Sequence, residues 1–526
     1  MANRKVGTSL LLVVLVSVAA TSASAQSFRV QCPPSTITHP AALNNNNAEP
    51  AYTGPTTLAT GGNGYLVPTA KVNGAIKCQQ ISGGDGYATM GDGTQTYMFS
   101  FGPLSGLYDM SQGLPGTQFP SVFNTPWTGA TALQPGDPAT TILSSGLGSF
   151  TYNGAIGQVP DIEAGNIIDG HVDPRPIMDI GVMNGNIPAP LMAIDEDDEF
   201  FLTLTNVGMI MRPDLFEQHT VHFHGYPNAS AFYDGVPDAS VAINIGGSFT
   251  YYYLAPDAGT YFWHCHITPP EHLQMGMVGQ LYVRPRQNRI PVGNGLYAGL
   301  QAQQNDPRTA CNPASDILCS NSLPASNSAT RAAGGNYAYN DGDGSTYYDV
   351  EYPLQIHGFD PNFHFVGMTF NPEGFVDMKD KYFLLNGRSY PDTVTPGTLA
   401  TQSSEGVKHF SQPLPSIINI PAGKKALLRI SDLDVTEYQT LASLGIPMHV
   451  VGYNAKLLRD QAGNNLAYNT NSITLAGGES LDVILDATDT TKYPSGSVFY
   501  LYTPNLDHLA NDAENFGGLM TEVHIN

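Results

Sequence analysis

Apolar and polar residues alternate in short runs over much of this chain, and the alternation seldom lasts longer than one strand. Glu199–Asn206 (EFFLTLTN) alternates towards its end as a half-buried strand does, and strand-like stretches follow at Thr220–Phe223, Ser248–Tyr253, Gly259–Cys265 and Gly279–Val283. Further candidates lie at Lys424–Ile430, Pro447–Val451, Ser472–Leu475, Leu481–Leu485 and Val498–Tyr502, and an isolated one at Tyr97–Phe101. Short strands at this spacing predict β-sandwiches, so the fold class is read as all-β: two sandwich domains with long loop insertions.

Breaks in the pattern divide the chain. Residues 1–25 read as a signal peptide, with Arg4 and Lys5 ahead of an apolar stretch and Ala23-Ser24-Ala25 as the cleavage site. The first domain is expected over 26–285, with an irregular arm to about Gly84 and a loop-like insertion with short strands over 102–185. Residues 286–344, rich in Asn, Ser, Ala and Gly, read as the linker, and 345–526 as the second domain. The blocks share an order of motifs: HTVHFHG, an apolar strand, then an aromatic strand ending in HCH and a Gly-Met, answered by PMHVVGY, SLDVILDA and SVFYLYTPNLDHL. A decayed internal duplication explains that order.

Composition narrows the partners. Charged residues make up only 13% of 526, with 55 Gly and 39 Pro, which argues against long charged helices. The formal charge is −23, or −25 once Arg4 and Lys5 leave with the leader, so nucleic acid and anionic lipid are poor partners. After the leader no apolar run is long enough to span a bilayer. A periplasmic or extracellular protein is expected. The acidic run Asp195–Glu199 reads as a solvated edge, and Asp341-Gly342-Asp343-Gly344 as a solvated turn rather than a calcium loop.

Of the five cysteines, Cys311 and Cys319 share one polar loop and could close a short ring, while Cys32 and Cys78 bracket the N-terminal segment. Cys265 remains, with a histidine on each side. Because neighbouring side chains on a strand face opposite ways, His264 and His266 would project to one side and the sulfur to the other. One strand then serves two metal sites back to back. His272 and Met277 follow in a Pro-Pro loop able to return to the sulfur, and His219 precedes His222 and His224 by three and five residues. The predicted sites are Cys265, His219 and His272 with Met277 as weak axial donor, the composition of a blue-copper centre, and behind it His222, His224, His264 and His266. Structural zinc would use a similar Cys-His₂ set, but a thioether as fourth donor argues for copper.

Pro188–Pro285 resembles the cupredoxin domains of the multicopper oxidase and copper nitrite reductase superfamily, through HFHG, Asp234-Gly235-Val236-Pro237, GTYFWHCH and the Gly-Met before an apolar strand. The resemblance implies two cupredoxin-like Greek-key sandwiches, laccase-like, with type 1 copper in the first domain and a type 2 or type 3 copper cluster shared between subunits of a homotrimer. It implies that a phenolic or metal-ion donor gives electrons near His272, that they pass through His264 and His266, and that oxygen is reduced at the cluster with Asp234 as the assisting acid. The second block departs from the family pattern: PMHVVGY keeps only His449, and where HCH is expected the chain reads Tyr502-Thr503-Pro504-Asn505. His449, from a neighbouring subunit, would complete the cluster; His508 and His524 have no assigned role. The alternatives are a copper carrier with an incomplete second site and a nitrite reductase, whose first motif would have Asp where this chain has His222.

Overall fold

The computed structural model describes residues 30–43, 46–125, 154–156, 177, 180–226, 230–255, 257–303, 322–369, 374–402 and 408–526. The expected leader, most of the 102–185 insertion and the Cys311/Cys319 pair lie outside them. The described chain is β-rich, in the class its alternation predicts. Among the described residues no helix is long and apolar enough to cross a membrane.

Two four-stranded sheets form the first sandwich. One runs Gln95–Pro103, Ile76–Thr89, Glu199–Gly208, Ser248–Leu254; the other Met192–Asp195, Val278–Arg284, Gly259–His264, His222–Phe223. Alternation sets the faces. Phe200, Leu202 and Leu204 turn inward with Tyr251, Tyr253 and Trp263, whereas Thr203 and Thr205 bond across to Thr250 and Ser248 on the other face. A seven-stranded and a five-stranded sheet make the second sandwich, and residues such as Leu428, Val450, Val483 and Leu501 form its core.

Both sandwiches meet on the sheet that carries the histidine motif. Thr260 donates to Asp482 and accepts from Ser480 through its carbonyl, both at 2.6 Å, and Gln280 donates to the Arg429 carbonyl. Arg429, fully buried, is neutralised by Glu351 at 3.0 Å and Asp482 at 3.6 Å. A buried cation without such partners would carry a large desolvation cost.

The structure corrects several expectations. The arm read as irregular contains a hairpin, Thr57–Thr60 with Leu66–Ala70, and a 14-residue strand, Ile76–Thr89, at the centre of its sheet. Its glycines are there for close approach: a Cβ at Gly83 would lie 2.6 Å from the His219 ring. A disulfide, Cys32–Cys78, ties the arm to that strand. In the described start of the insertion the elements are helical, Leu107–Ser111 and Pro120–Phe123, where strands were expected. The 286–344 stretch holds a helix, Leu296–Gln303, with Leu296 and Leu300 packed into a small core of their own. Asp341 is no solvated turn: it is buried and accepts from Gln287, Thr346 and Gly344.

Asp195–Glu199 is likewise no solvated edge. Asp195, Glu196, Asp198 and Glu199 are all buried, because Arg286 and Arg289, read as linker, fold back on Asp197 at 2.9 Å. Glu196 accepts from the Arg286 amide and from Asn340. Burial pushes its carboxyl up to about 7, against the pull of Arg286. The native state therefore keeps a proton that the unfolded chain, with an ordinary carboxyl, releases. Stability falls as pH rises from about 4.5 to about 7 and this contribution is flat above. The expected result is a melting temperature higher at pH 5 than at pH 8, with Glu196→Gln narrowing the difference; an unchanged difference refutes the assignment.

Candidate metal centre

Strand Gly259–His264 lies between Val278–Arg284 and the two-residue strand His222–Phe223, with His222 opposite His264 and Phe223 opposite Trp263. Tyr261, Trp263 and Cys265 turn into the sandwich core. Phe262, His264 and His266 turn the other way as a ladder of rings, with successive centroids 5.2 and 5.5 Å apart. Thr220 holds the end of the strand from both sides: its hydroxyl accepts the His266 amide at 3.0 Å, and its own amide donates to the Cys265 sulfur at 3.4 Å.

On the core face, Cys265, His219 and His272 come together, all fully buried, with one donor atom from each within 4.8 Å of the others. His272 Nδ1 lies 3.3 Å and His219 Nδ1 3.9 Å from Sγ. His219 is placed by a paired main-chain bridge to Ile243. His272 comes from the helix Pro269–Gln274, and Met277 closes the loop: its amide donates to the His272 carbonyl at 2.8 Å, its carbonyl accepts from the Cys265 amide, and its side chain is buried in the same core. Cys265 is the one free cysteine among the described residues.

The two rings of this pocket are pushed in opposite directions. Burial, then His272, holds the His219 ring well below its usual range. Burial works the same way on His272, but its interactions with Cys265 and Glu217 outweigh it and lift this ring to about 9. Glu217 Oε2 stands 3.6 Å from His272 Nε2, at the solvent edge of an otherwise sealed pocket. The sequence reading missed Glu217; its only signal is its position two residues before His219, which places it on the same side of an extended chain.

On the far face, donor atoms of His222, His224 and His264 also lie within 4.8 Å of one another. His266 flanks them, its ring 5.0 Å from that of His222. Tautomers are set by the backbone: His264 Nδ1 donates to the Cys265 carbonyl at 2.6 Å and His222 Nδ1 to the Asp234 carbonyl at 2.8 Å, leaving each Nε2 with a lone pair. Burial, then His222, pushes His224 down to about 4, and burial, then His224, holds His264 well below the usual range. Neutral imidazoles are the ligand form. The Asp234 carboxylate is 3.4 Å from His222 Nδ1, within reach of the cluster's edge.

The second sandwich brings no imidazole to this cluster among the described residues. Gly478 is what it sets against His224, beside a cavity of about 420 Å³ lined by Phe262, Pro270, Asp434 and Glu437. His449 is elsewhere in its own sheet, bonded to Asn469 at 2.9 Å. His508 is stacked on Phe383 and bonded to Gln439, and His524 pairs with Glu522.

Both donor sets fit copper: a buried thiol with two imidazoles on one face, and imidazoles whose ring nitrogens converge on the other.

Part of the chain matches known proteins. Residues 169–288 match the family model described as multicopper oxidase. Laccase abr2 of Aspergillus fumigatus is 34% identical over 109 residues, 20% of this chain and 17% of that protein. A copper-containing nitrite reductase of Rhizobium meliloti is 34% identical over 130 residues, 22% of this chain and 31% of that one. The chain thus spans under a third of either relative's length. Among solved structures, the blue copper oxidase from Nitrosomonas europaea aligns with 20% identity and a TM-score of 0.42 over 65% of this chain and 78% of the other.

Proposed function

We propose, from the premise that residues 169–288 carry a multicopper oxidase domain, that this chain is an exported, laccase-like oxidoreductase. It takes electrons from a phenolic or metal-ion donor and reduces oxygen. His219, Cys265, His272 and Met277 would hold type 1 copper, and His222, His224, His264 and His266 the type 2 or type 3 copper. Bound there, copper supplies one-electron redox chemistry on both faces of a single strand.

The observation that carries this reading is the back-to-back placement of the two donor sets. From the Cys265 sulfur to His264, the covalent path is one peptide long. At the rim, Glu217 sets a carboxylate 3.6 Å from His272 Nε2, which supports a metal-ion or other cationic donor over an anion. Asp234, beside His222, is placed to supply a proton on the far face. The cluster is open towards His224 and His266, which supports a homotrimer in which the partner subunit's His449 closes it. The division into domains 26–285 and 345–526 about a 286–344 connection belongs to the same proposal.

One observation favours a second reading, a copper carrier with an incomplete second site: the loop facing His224 is Ala476-Gly477-Gly478 and contributes no ligand side chain. Copper counting by mass spectrometry, together with oxygen uptake on a phenol and on a reduced metal ion, decides between them. An oxidase binds more than one copper per chain and consumes oxygen; a carrier holds about one and does not; nitric oxide released from nitrite would point to a nitrite reductase. A colourless protein holding only zinc would overturn all three.

A further inference from the structure

We infer that the second sandwich positions the helix bearing His272, with His364 and Gln274 as the principal positioning residues. The inference rests on the copper reading of the Cys265 site and adds to it a source for that site's geometry.

The helix Pro269–Gln274 cannot hold itself. Six residues give too few internal hydrogen bonds to offset the cost of starting a helix. Its N-cap residue, Thr268, sits at φ 38° and makes no capping bond, and Pro269 and Pro270 follow. The amides of Met275, Met277 and Gly276 close the Glu271, His272 and Leu273 carbonyls within the loop, but the Gln274 carbonyl and side chain need partners from outside.

The second sandwich supplies them. His357 Nε2 lies 3.0 Å from the Leu273 carbonyl and His364 Nε2 2.9 Å from the Gln274 carbonyl. The Gln274 side chain is caught at both ends: its amide donates to Asp380 at 2.9 Å and its oxygen accepts from the Asp360 main chain at 3.2 Å. These six residues are all buried. His364 is fixed in turn, stacked on Phe359 with ring centroids 3.6 Å apart and with Nδ1 facing the Tyr97 carbonyl of the first sandwich; burial keeps the ring neutral, so its single N–H serves one of the two carbonyls at a time. Its helix, Pro361–Gly367, sends Phe363 into the core that also contains Cys265 and Met277.

Geometry follows from these attachments. Gln274 lies two residues after His272 and three before Met277, so anchoring it fixes both ends of the loop that approaches the sulfur. Outer contacts of this kind orient metal ligands, and losing one costs about 10–100-fold in affinity. The first sandwich holds the far side of the loop, with Ser100 donating to the Gly276 carbonyl at 2.6 Å, the Cys265 amide on the Met277 carbonyl at 3.1 Å and Phe99 edge-on to the His272 ring at 5.2 Å, but puts no bond on Gln274.

The test uses the copper-loaded full chain. In His364→Leu and, separately, Gln274→Met, we expect a shifted thiolate-to-copper absorption band, altered hyperfine splitting and midpoint potential, and copper retention at that site about tenfold weaker against a chelator. Copper bound by the His222 cluster should be unchanged. His364→Gln, which keeps a donor for the Gln274 carbonyl, should restore most of the wild-type signature. If His364→Leu does not fold, Gln274→Met, which removes no ring and leaves the main chain intact, decides alone. Wild-type band, splitting, potential and affinity in the folded variants, with only a lower melting temperature, would show the contacts to be merely structural. A wild type without the band instead removes the copper reading, and this inference falls with it.

Discussion

Cys265→Ser is expected to abolish the visible thiolate-to-copper absorption, remove one copper per chain and reduce oxygen uptake to background. The sulfur is the only soft anionic donor in its pocket, with His272 Nδ1 at 3.3 Å and His219 Nδ1 at 3.9 Å. A serine hydroxyl stays protonated there and is a hard, neutral donor, poorly matched to copper. The fold should survive: the Thr220 amide that donates to the sulfur finds an oxygen instead, and the small loss of volume costs about 1 kcal/mol. Absorption spectra, metal counting and far-ultraviolet circular dichroism check the three parts together. A variant that stays coloured, or keeps oxygen uptake within tenfold of wild type, would put the type 1 copper elsewhere.

The chemistry of this chain lies close to the surface of its sequence because a strand has a period of two. Cys265 between His264 and His266 states two faces in three letters, and His219, His222 and His224 repeat the rule at odd and even offsets. Strand positions were legible for the same reason, to within a residue or two at Val278–Arg284 and Ser480–Asp486. What escaped were features whose meaning depends on distant partners. The acidic run Asp195–Glu199 looks solvated until Arg286 and Arg289, some 90 residues away, are placed over it. The Gly83-Gly84 pair falls at the end of what reads as an irregular arm until His219 occupies the space that a Cβ on Gly83 would fill. Glu217 is marked only by its offset of two from His219, and the clamp of His357, His364 and Asp380 on Pro269–Gln274 carries no local pattern at all, since it arises where one sandwich meets a loop of the other.

On the opposite face, His264→Ala is expected to separate the two halves of the reaction. The substitution removes one ring of the cluster and its bond to the Cys265 carbonyl, yet leaves the Met277 bridge and the His219–His272 pair untouched, because side chain 264 lies on the other face of the strand from them. The blue band should therefore persist, and its bleaching by a donor in the absence of oxygen should run at close to the wild-type rate. Recovery of the band on mixing with oxygen should slow by about a hundredfold or more, at least the loss that follows when a metal's supporting residues are removed. The geometry makes this a sensitive position. His264 Nε2 stands 3.0 Å from His224 Nε2, both rings are held neutral, and the Cys265 carbonyl fixes the His264 proton on Nδ1, so the two lone-pair nitrogens can be reconciled only by a shared proton or a shared ion. Stopped-flow absorption with and without oxygen gives both rates on one sample. Undiminished recovery in the variant would mean that the far-face histidines are not where oxygen is reduced, and would leave the chain a carrier whose second face is only a cluster of rings.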